Sequence, residues 1–420
     1  MEDKLLKEFF RKERWQTAID KGVDKKIDKD LLKTLCTPEC RIHLYEKIKN
    51  KNYSIMPPHE AQIPKDDGTM RTVYVNEGID RVVLSIINDM LFEYCHKMIH
   101  PRCVSYQKGI GCGRVVQDAT KWIAEVSEEK IGVKADLSKY FDSVPINFID
   151  ECFDKIEEIT GKSVIIDIVR EYYHMNYVFD LDDNLIEKYT SLRQGCAVAA
   201  FLADAVLYDM DSQISQMNTY YVRYSDDILI VGGEWEKGYS KMAEMLEAKG
   251  LILNPKKVET LYYDKWFKFL GFNIRGTQIT LSKNRVKTFQ KEIEKRTIRT
   301  KSHDPKQLSA NVNRYLYTGA DGHSWATNVL PIINVEKDID TLNEFVMDCI
   351  RASITNKKRI GGIGSVSDRD DYTIVRGLGR NVSANKQKTE KIIEGYMSLR
   401  CMRNALVTSR EAYNTLVMQM

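Results

Sequence analysis

"YYVRYSDDILIVGG", residues 220–233, reads as two apolar half-strands on either side of a short polar break. Aromatic and β-branched residues dominate both halves, the composition of a pleated, buried ribbon. Asp226 and Asp227 stand side by side in the break. Burying unpaired carboxylates is costly, so a core strand carrying two of them requires a compensating cation.

A second apolar strand also ends in an acid. "IGVKADLSKYFDSV" carries Asp136, ninety residues before Asp226. Two strands of one small sheet would bring Asp136 beside Asp226 and Asp227. Three carboxylates at one sheet edge repel strongly unless divalent cations neutralise them. Oxygen donors favour Mg²⁺, with Mn²⁺ as a substitute. Two such ions about 3.5–4 Å apart suit in-line phosphoryl transfer. A lone Asp-Asp pair is common on protein surfaces. A Tyr-x-Asp-Asp turn between apolar half-strands, downstream of a second strand-borne aspartate, is a specific pattern.

The chain around these strands has an ordinary globular composition. It has 420 residues, 43% hydrophobic and 29% charged, enough for a sizeable core. Its net charge is +3, from 63 basic and 60 acidic residues, so the overall balance does not announce a nucleic-acid partner. Nine scattered cysteines suggest a reducing compartment. No apolar run is long enough to cross a bilayer, and "MEDKLLKEFFRKERW" is charged and helical, unlike a signal peptide. A soluble cytoplasmic protein with no membrane partner is expected. "CTPECRIH" groups Cys36, Cys40 and His43, but a zinc site needs four ligands and no second cluster follows. Ordinary semi-buried cysteines are the expectation.

Residues 1–50 read as charged helices. In 53–78, "DDG" marks a hairpin turn between two short strands. Residues 79–100 have helical periodicity. "SYQKGIGCGRVVQDATKWI" is a glycine-rich loop leading into a helix. No hydrophobic strand precedes it, which argues against a dinucleotide-binding turn and leaves a loop that lets backbone approach a phosphate chain, or a plain tight turn. Helices follow around 146–157 and 163–178. "AVAAFLADAVLYDMDSQISQM" reads as one long helix, and "YSKMAEMLEAKG" as a helix closed by Gly250. "LILNPKKVETLYY" and "FKFLGFNI" read as strands. Helices interspersed with mainly antiparallel strands predict an α+β core. Beyond 280 the chain turns helical and basic, with Lys283, Arg285, Lys287, Lys291, Lys295, Arg296, Arg299 and Lys301 in one stretch. That stretch is either a solvated face or a contact for a nucleic-acid backbone. Residues 360–387 look like a Gly/Ser-rich loop, and a final helix is predicted over 388–417.

In this setting "YSDD" resembles the Tyr-x-Asp-Asp motif of reverse transcriptases, and "ADLSKYFDSV" resembles their first palm motif. The resemblance covers roughly residues 50–350, with the motifs in family order. "IPKDDGTMRTVYV" followed by Asp80 and Arg81 is similar to the fingers segment of bacterial and group II intron enzymes. "SYQKGIGCGRVVQDA" resembles their next motif, with Tyr106, Gly109, Gly111 and Arg114. "SLRQGCAVAAFLADAVL" resembles the Gln-Gly motif. "LNPKKVETLYY" resembles the lysine-bearing motif, and "FKFLGF", with Leu270 and Gly271, the primer grip. The Gln-Gly motif usually continues with proline and serine; here it runs "CAVAA", and Asp204 stands where asparagine is common.

The resemblance implies a right-hand polymerase. It would have an N-terminal extension (1–50), fingers (51–130 with part of 160–195), palm (131–275), thumb (276–355) and a C-terminal helical extension (356–420). It implies that Asp136 and Asp226 bind both metals, with the Leu137 carbonyl assisting and Asp227 in support. Lys65 and Arg71 would grip the incoming triphosphate. Gln194 would contact the nucleotide sugar and template base pair, and Lys257 would act as general acid for the leaving pyrophosphate. Arg81, Tyr106, Gly109, Gly111, Arg114, Tyr224, Ser225, Leu270, Gly271, Arg285, Lys287 and Arg296 would meet nucleic acid. Phe141 stands where these enzymes carry an aromatic steric gate, which collides with a ribose 2′-hydroxyl. RNA-directed RNA polymerases usually carry aspartate at that point; here the aspartate comes one later, at Asp142. DNA synthesis is therefore expected.

No His/Cys nuclease cluster follows the basic helix, so the chain most resembles the stand-alone, defence-associated "unknown group" of bacterial reverse transcriptases, near the retron and abortive-infection groups. This implies dNTP substrates, a structured companion non-coding RNA as template, a DNA product and a role in antiphage defence. Two alternatives stay open: untemplated or protein-primed DNA synthesis, and an RNA-binding scaffold with a retired polymerase fold.

Overall fold

The computed structural model describes residues 3–24, 28–35, 37–65, 68–107, 109–319, 324–355, 363–368, 371–376 and 395–419. Its contacts divide the chain into two units, Met1–Lys108 with Val133–Glu259, and Gly109–Gly132 with Thr260–Met420.

In the first unit the two apolar half-strands pair with each other. Tyr220–Tyr224 and Asp227–Val231 are antiparallel, with Tyr220 opposite Val231 and Tyr224 opposite Asp227. Ser225 and Asp226 alone make the turn. A two-residue hairpin loop needs positive φ to match the twist of its strands, and Ser225 supplies it at φ 57°. In the hairpin's sheet the strand Asp227–Val231 lies between Tyr220–Tyr224 and Lys130–Asp136. The sheet's apolar side chains, among them Ile228, Leu229, Ile230 and Val133, are buried. The helix Gly78–Tyr94 packs into the same core. Val82, Ile86 and Met90 recur at i, i+4, as do Val83, Ile87 and Leu91, and all six are buried. His59–Pro64 and Met70–Val75 form the expected hairpin, extended by Tyr177–Phe179 and Leu185–Glu187.

The predicted helix over 163–178 is shorter, Val164–His174. Met175 turns extended, and its carbonyl accepts a hydrogen bond from the buried Arg193 guanidinium. The predicted long helix after residue 196 is two, Ala199–Ala205 and Tyr208–Ser215. Side chains divert the carbonyls that would continue it. Ala203 C=O accepts from Tyr140 O–H at 2.7 Å and Arg223 Nη1 at 3.3 Å, and Asp204 C=O accepts from Arg223 Nη2 at 2.9 Å. Of the stretch "LILNPKKVETLYY", only Glu259–Tyr262 is a strand.

The second unit has a three-stranded antiparallel sheet ordered Gln278–Leu281, Phe272–Arg275, Phe267–Phe269. The helix Lys283–Arg296 buries Val286, Phe289 and Ile293, and Phe289 packs against Trp325 and Phe345 with ring centroids 4.8 and 6.4 Å away. The loop expected over 360–387 contains an antiparallel hairpin, Ile363–Asp368 with Asp371–Arg376; 377–387 lie outside the described residues. Its Gly/Ser content masks a period-2 alternation through Tyr372 and Ile374. Of the final helix predicted over 388–417, residues 388–394 lie outside the described residues, and the remainder holds two helices, Leu399–Thr408 and Arg410–Met418. Ser409 is extended between them and caps the second through Ala412 N–H at 3.0 Å. No helix among the described residues is long and apolar enough to cross a membrane.

Candidate active site

The sheet brings the two aspartate-bearing strands together. Leu137 N–H donates to the Asp226 carbonyl at 3.2 Å, so the end of the Asp136 strand is hydrogen-bonded to the hairpin turn. Its other side is held by the 252–254 segment. Ser138 N–H donates to Ile252 C=O at 2.7 Å, and Asn254 N–H to Asp136 C=O at 2.8 Å. Asn254 also starts a turn, through Lys257 N–H to Asn254 C=O at 2.9 Å, that aims Lys257 back at the strand. Lys257 Nζ lies 2.8 Å from Asp136 Oδ2.

The charges here act on one another. Burial first, then the Asp136 charge, raises the Asp226 carboxyl. Burial, Asp226 and Asp136 together push Asp227 up to about 6. Lys257 responds in the opposite sense. Desolvation pulls its pKa down, but the hydrogen bond to Asp136 and the charges of Asp136, Asp226 and Asp227 outweigh it and leave the pKa raised. Among the described residues, no three His, Cys, Asp or Glu side chains converge as a closed metal cage. The Asp136 carboxylate is instead turned to Lys257. The donor set nevertheless suits a divalent ion: hard carboxylate oxygens, mutually repelling, with an ammonium where a cation is needed.

The Asp227 shift has a testable sign. Its folded pKa lies above the ordinary carboxylate value of 3.8, so the metal-free fold gains stability below that value and loses it as pH rises through about 6. Asp227→Asn removes the penalised charge. The variant should therefore exceed wild type in Tm by about 2–4 °C at pH 7.5, and by about half as much at pH 5. Melting curves with chelator at both pH values check this; a larger gain at the acid end contradicts the assignment.

The expected nucleotide-binding residues also lie in the first unit. Lys65 is exposed at the start of its hairpin turn, with its N–H on Thr69 C=O at 2.7 Å. Arg71, exposed and opposite Ile63, exerts its charge on Asp226 and on Asp142. Partial desolvation raises Asp142 against the pull of Lys139, Lys188, Arg71 and Lys65. Gln194 C=O accepts Tyr74 N–H at 2.7 Å. A Cβ on Gly195, at φ 110°, would stand 2.7 Å from the Tyr74 carbonyl, so only glycine fits there. Leu192 N–H donates to Phe141 C=O at 3.0 Å, tying the Gln-Gly segment to the residue expected to sense the sugar. Asp80 is a buried anchor, accepting Met56 N–H at 2.8 Å and the Tyr53 hydroxyl, and Arg81 is half-buried beside it. Tyr224 is half-buried at the hairpin end, and Tyr106 is 47% exposed with φ 53°.

The remaining expected nucleic-acid residues lie in the second unit. Gly109, Gly111 and Arg114 are exposed. Arg285 is half-buried, with its guanidinium 4.2 Å from the Phe272 ring centroid and Nη2 on Leu270 C=O at 3.2 Å. A Cβ on Gly271 would stand 2.4 Å from Arg285 Nε. Lys287 is exposed, whereas Arg296 is engaged by Glu292 and lies 4.1 Å over the Tyr315 ring. Cys36, of the weighed zinc cluster, lies outside the described residues.

Sequence reasoning missed the layer beneath the turn. Arg223 is fully buried and grips Asp211, Nε to Oδ1 at 2.8 Å and Nη2 to Oδ2 at 2.6 Å. Its Nη1 donates to the Ser225 carbonyl at 3.1 Å. An arginine inside a buried strand was the available signal, since such a charge requires a carboxylate partner.

A family model described as "Reverse transcriptase (RNA-dependent DNA polymerase)" matches residues 63–274, just over half of the chain. No curated protein matches the sequence. Among solved structures, the chain is similar to telomerase from Candida albicans in complex with a fragment of telomeric RNA, at 12% identity and TM-score 0.48, covering 74% of this chain and 56% of that one. Apo telomerase from Candida tropicalis is similar at 12% identity and TM-score 0.45, with 86% and 62% covered. An insertion-loop deletion mutant of the RNA-dependent RNA polymerase of a human picobirnavirus is similar at 9% identity and TM-score 0.47, with 72% and 59% covered. The chain thus spans less than two thirds of the length of each of these proteins.

Proposed function

The chain belongs to the reverse transcriptase (RNA-dependent DNA polymerase) family, and on that premise we propose that it extends a DNA 3′ end along an RNA template by adding deoxynucleotides. The observation that carries the reading is the backbone hydrogen bond from Leu137 to Asp226, which joins the two aspartate-bearing strands. Asp136, Asp226 and the Leu137 carbonyl would hold Mg²⁺, with Asp227 in support. When bound, such ions lower the pKa of the attacking hydroxyl and stabilise charge on the leaving pyrophosphate.

The chain's own groups supply the rest. Lys65 and Arg71 bind the triphosphate as charge-assisted donors. Gln194, fixed by its bond to Tyr74, orients the sugar and the base pair. The Phe141 ring excludes a 2′-hydroxyl. Lys257, kept protonated by the carboxylates around it, carries the proton that the leaving pyrophosphate takes up.

Resemblance to the stand-alone, defence-associated bacterial enzymes supports a finer reading: the template is a structured companion non-coding RNA, and the DNA product serves antiphage defence in the bacterial cytoplasm. The test is to sequence the nucleic acid that copurifies with the protein, and the DNA it makes from dNTPs and Mg²⁺. DNA complementary to a defined copurifying RNA is the expected result. A random or homopolymeric product overturns the templated reading, and no dNTP incorporation overturns the enzymatic one.

A further inference from the structure

The turn that carries Asp226 is backed by a buried polar chain in the first unit. Residues 102–105 run alongside the hairpin strand: Arg223 N–H donates to Arg102 C=O, and Val104 N–H to Arg223 C=O, both at 2.9 Å. This ladder delivers Ser105, which is fully buried, to the underside of the turn. Ser105 Oγ donates to Asp204 Oδ1 at 2.5 Å and accepts Ser225 N–H at 2.9 Å. Asp204 is itself fully buried, and its Oδ2 has no hydrogen-bond partner.

Each link has a physical reason. Ser225 is a non-glycine residue at φ 57°, a conformation that persists only where the surroundings over-determine it. Both of its peptide groups are held, the N–H by Ser105 and the C=O by Arg223. A carboxylate accepts and cannot donate, so Asp204 can only draw the Ser105 proton toward itself. That leaves a Ser105 lone pair for Ser225 N–H; Cys103 Sγ, 3.4 Å from Ser105 Oγ, competes for the hydroxyl only as a weak sulfur partner. An asparagine at 204 could instead donate to Ser105 and reverse the hydroxyl. Burial first raises Asp204, to about 6, so it is ionised at neutral pH and acts as an acceptor.

We propose that Ser105 and Asp204 are positioning residues: a carboxylate–hydroxyl–amide relay that fixes the Tyr224–Ser225 peptide, next to the Ser225–Asp226 peptide that Arg223 holds, and with it the aim of the Asp226 carboxylate toward its divalent ion. The proposal rests on the metal role assigned to Asp226. It explains why a buried, half-satisfied carboxylate occupies this helix end: its function is directional rather than stabilising.

The test compares wild type with Ser105→Ala and Asp204→Asn by titrating Mg²⁺ and reading the rise in Tm. RNA-templated DNA synthesis is measured on the same samples. The half-saturating Mg²⁺ concentration should rise about tenfold in Ser105→Ala and about threefold in Asp204→Asn. The rate at saturating dNTP should fall with it, while KM for dNTP stays within about twofold. A merely structural role lowers the metal-free Tm and leaves half-saturation at the wild-type value, and that result overturns the relay. If Ser105→Ala does not fold, Asp204→Asn, which is isosteric, decides alone. A wild-type protein that responds to Mg²⁺ yet copies no RNA, with the two shifts present in the variants, upholds the relay and sinks the polymerase reading. A wild-type protein whose Tm ignores Mg²⁺ overturns the relay together with the metal role of Asp226.

Discussion

Asp226→Asn should lower RNA-templated dNTP incorporation by about 10³-fold or more while leaving the protein folded. The side chain keeps its size, and the bonds that hold the turn run through the backbone: Leu137 N–H to the Asp226 carbonyl, and Ser225 to Ser105 and Arg223. Only the negative charge is lost. Burial and the neighbouring Asp136 already disfavour that charge, as the raised Asp226 pKa records. The metal-free variant should therefore melt no lower than wild type. Activity and stability move apart, which distinguishes a group kept for chemistry from one kept for packing. Primer extension and melting curves on one preparation check both halves. Retention of a tenth or more of the wild-type rate would remove Asp226 from the chemistry.

Phe141→Ala should relax sugar selection by about 10²-fold, measured as the ratio of kcat/KM for dNTP and rNTP. Two aromatic residues compete for the gate position, and the fold separates them. Tyr140 is buried, with its hydroxyl donating to Ala203 C=O at 2.7 Å. Phe141 is half-buried, edge-on to Tyr140 with ring centroids 5.8 Å apart. Its backbone is pinned by Leu192 N–H, so truncating the ring leaves the short helix Tyr140–Ser143 in place. Deoxynucleotide incorporation should fall only modestly. Sugar discrimination equal to wild type would take the gate role away from Phe141.

The aspartate-bearing strands were legible because their signal is local. Alternation, a two-residue break and an acid at each strand end are all present in short windows. The hairpin 59–75 was legible for the same reason. The layer beneath the turn was not, because it is long-range. Arg223 meets Asp211 across a helix, and Ser105 meets Asp204 across ninety-nine residues. The same long-range contacts broke the predicted helix: nothing in "AVAAFLADAVLYDMD" announces that Tyr140 and Arg223 will take its carbonyls. Arg296 shows the converse. Its basic surroundings suggested an outward charge, but Glu292 and Tyr315 engage it within its own unit. Charge density along a sequence does not reveal which cations are already committed.

The contact between Lys257 and Asp136 has a consequence for experiments on Lys257 itself. One ammonium supplies local electroneutrality at the strand end and is also the group assigned to release the product. Neutralising it therefore does two things of opposite sign: it withdraws a proton source, and it unmasks a carboxylate for Mg²⁺. The slowed turnover of such a variant is a composite, separable only by following rate against pH and against ion concentration together.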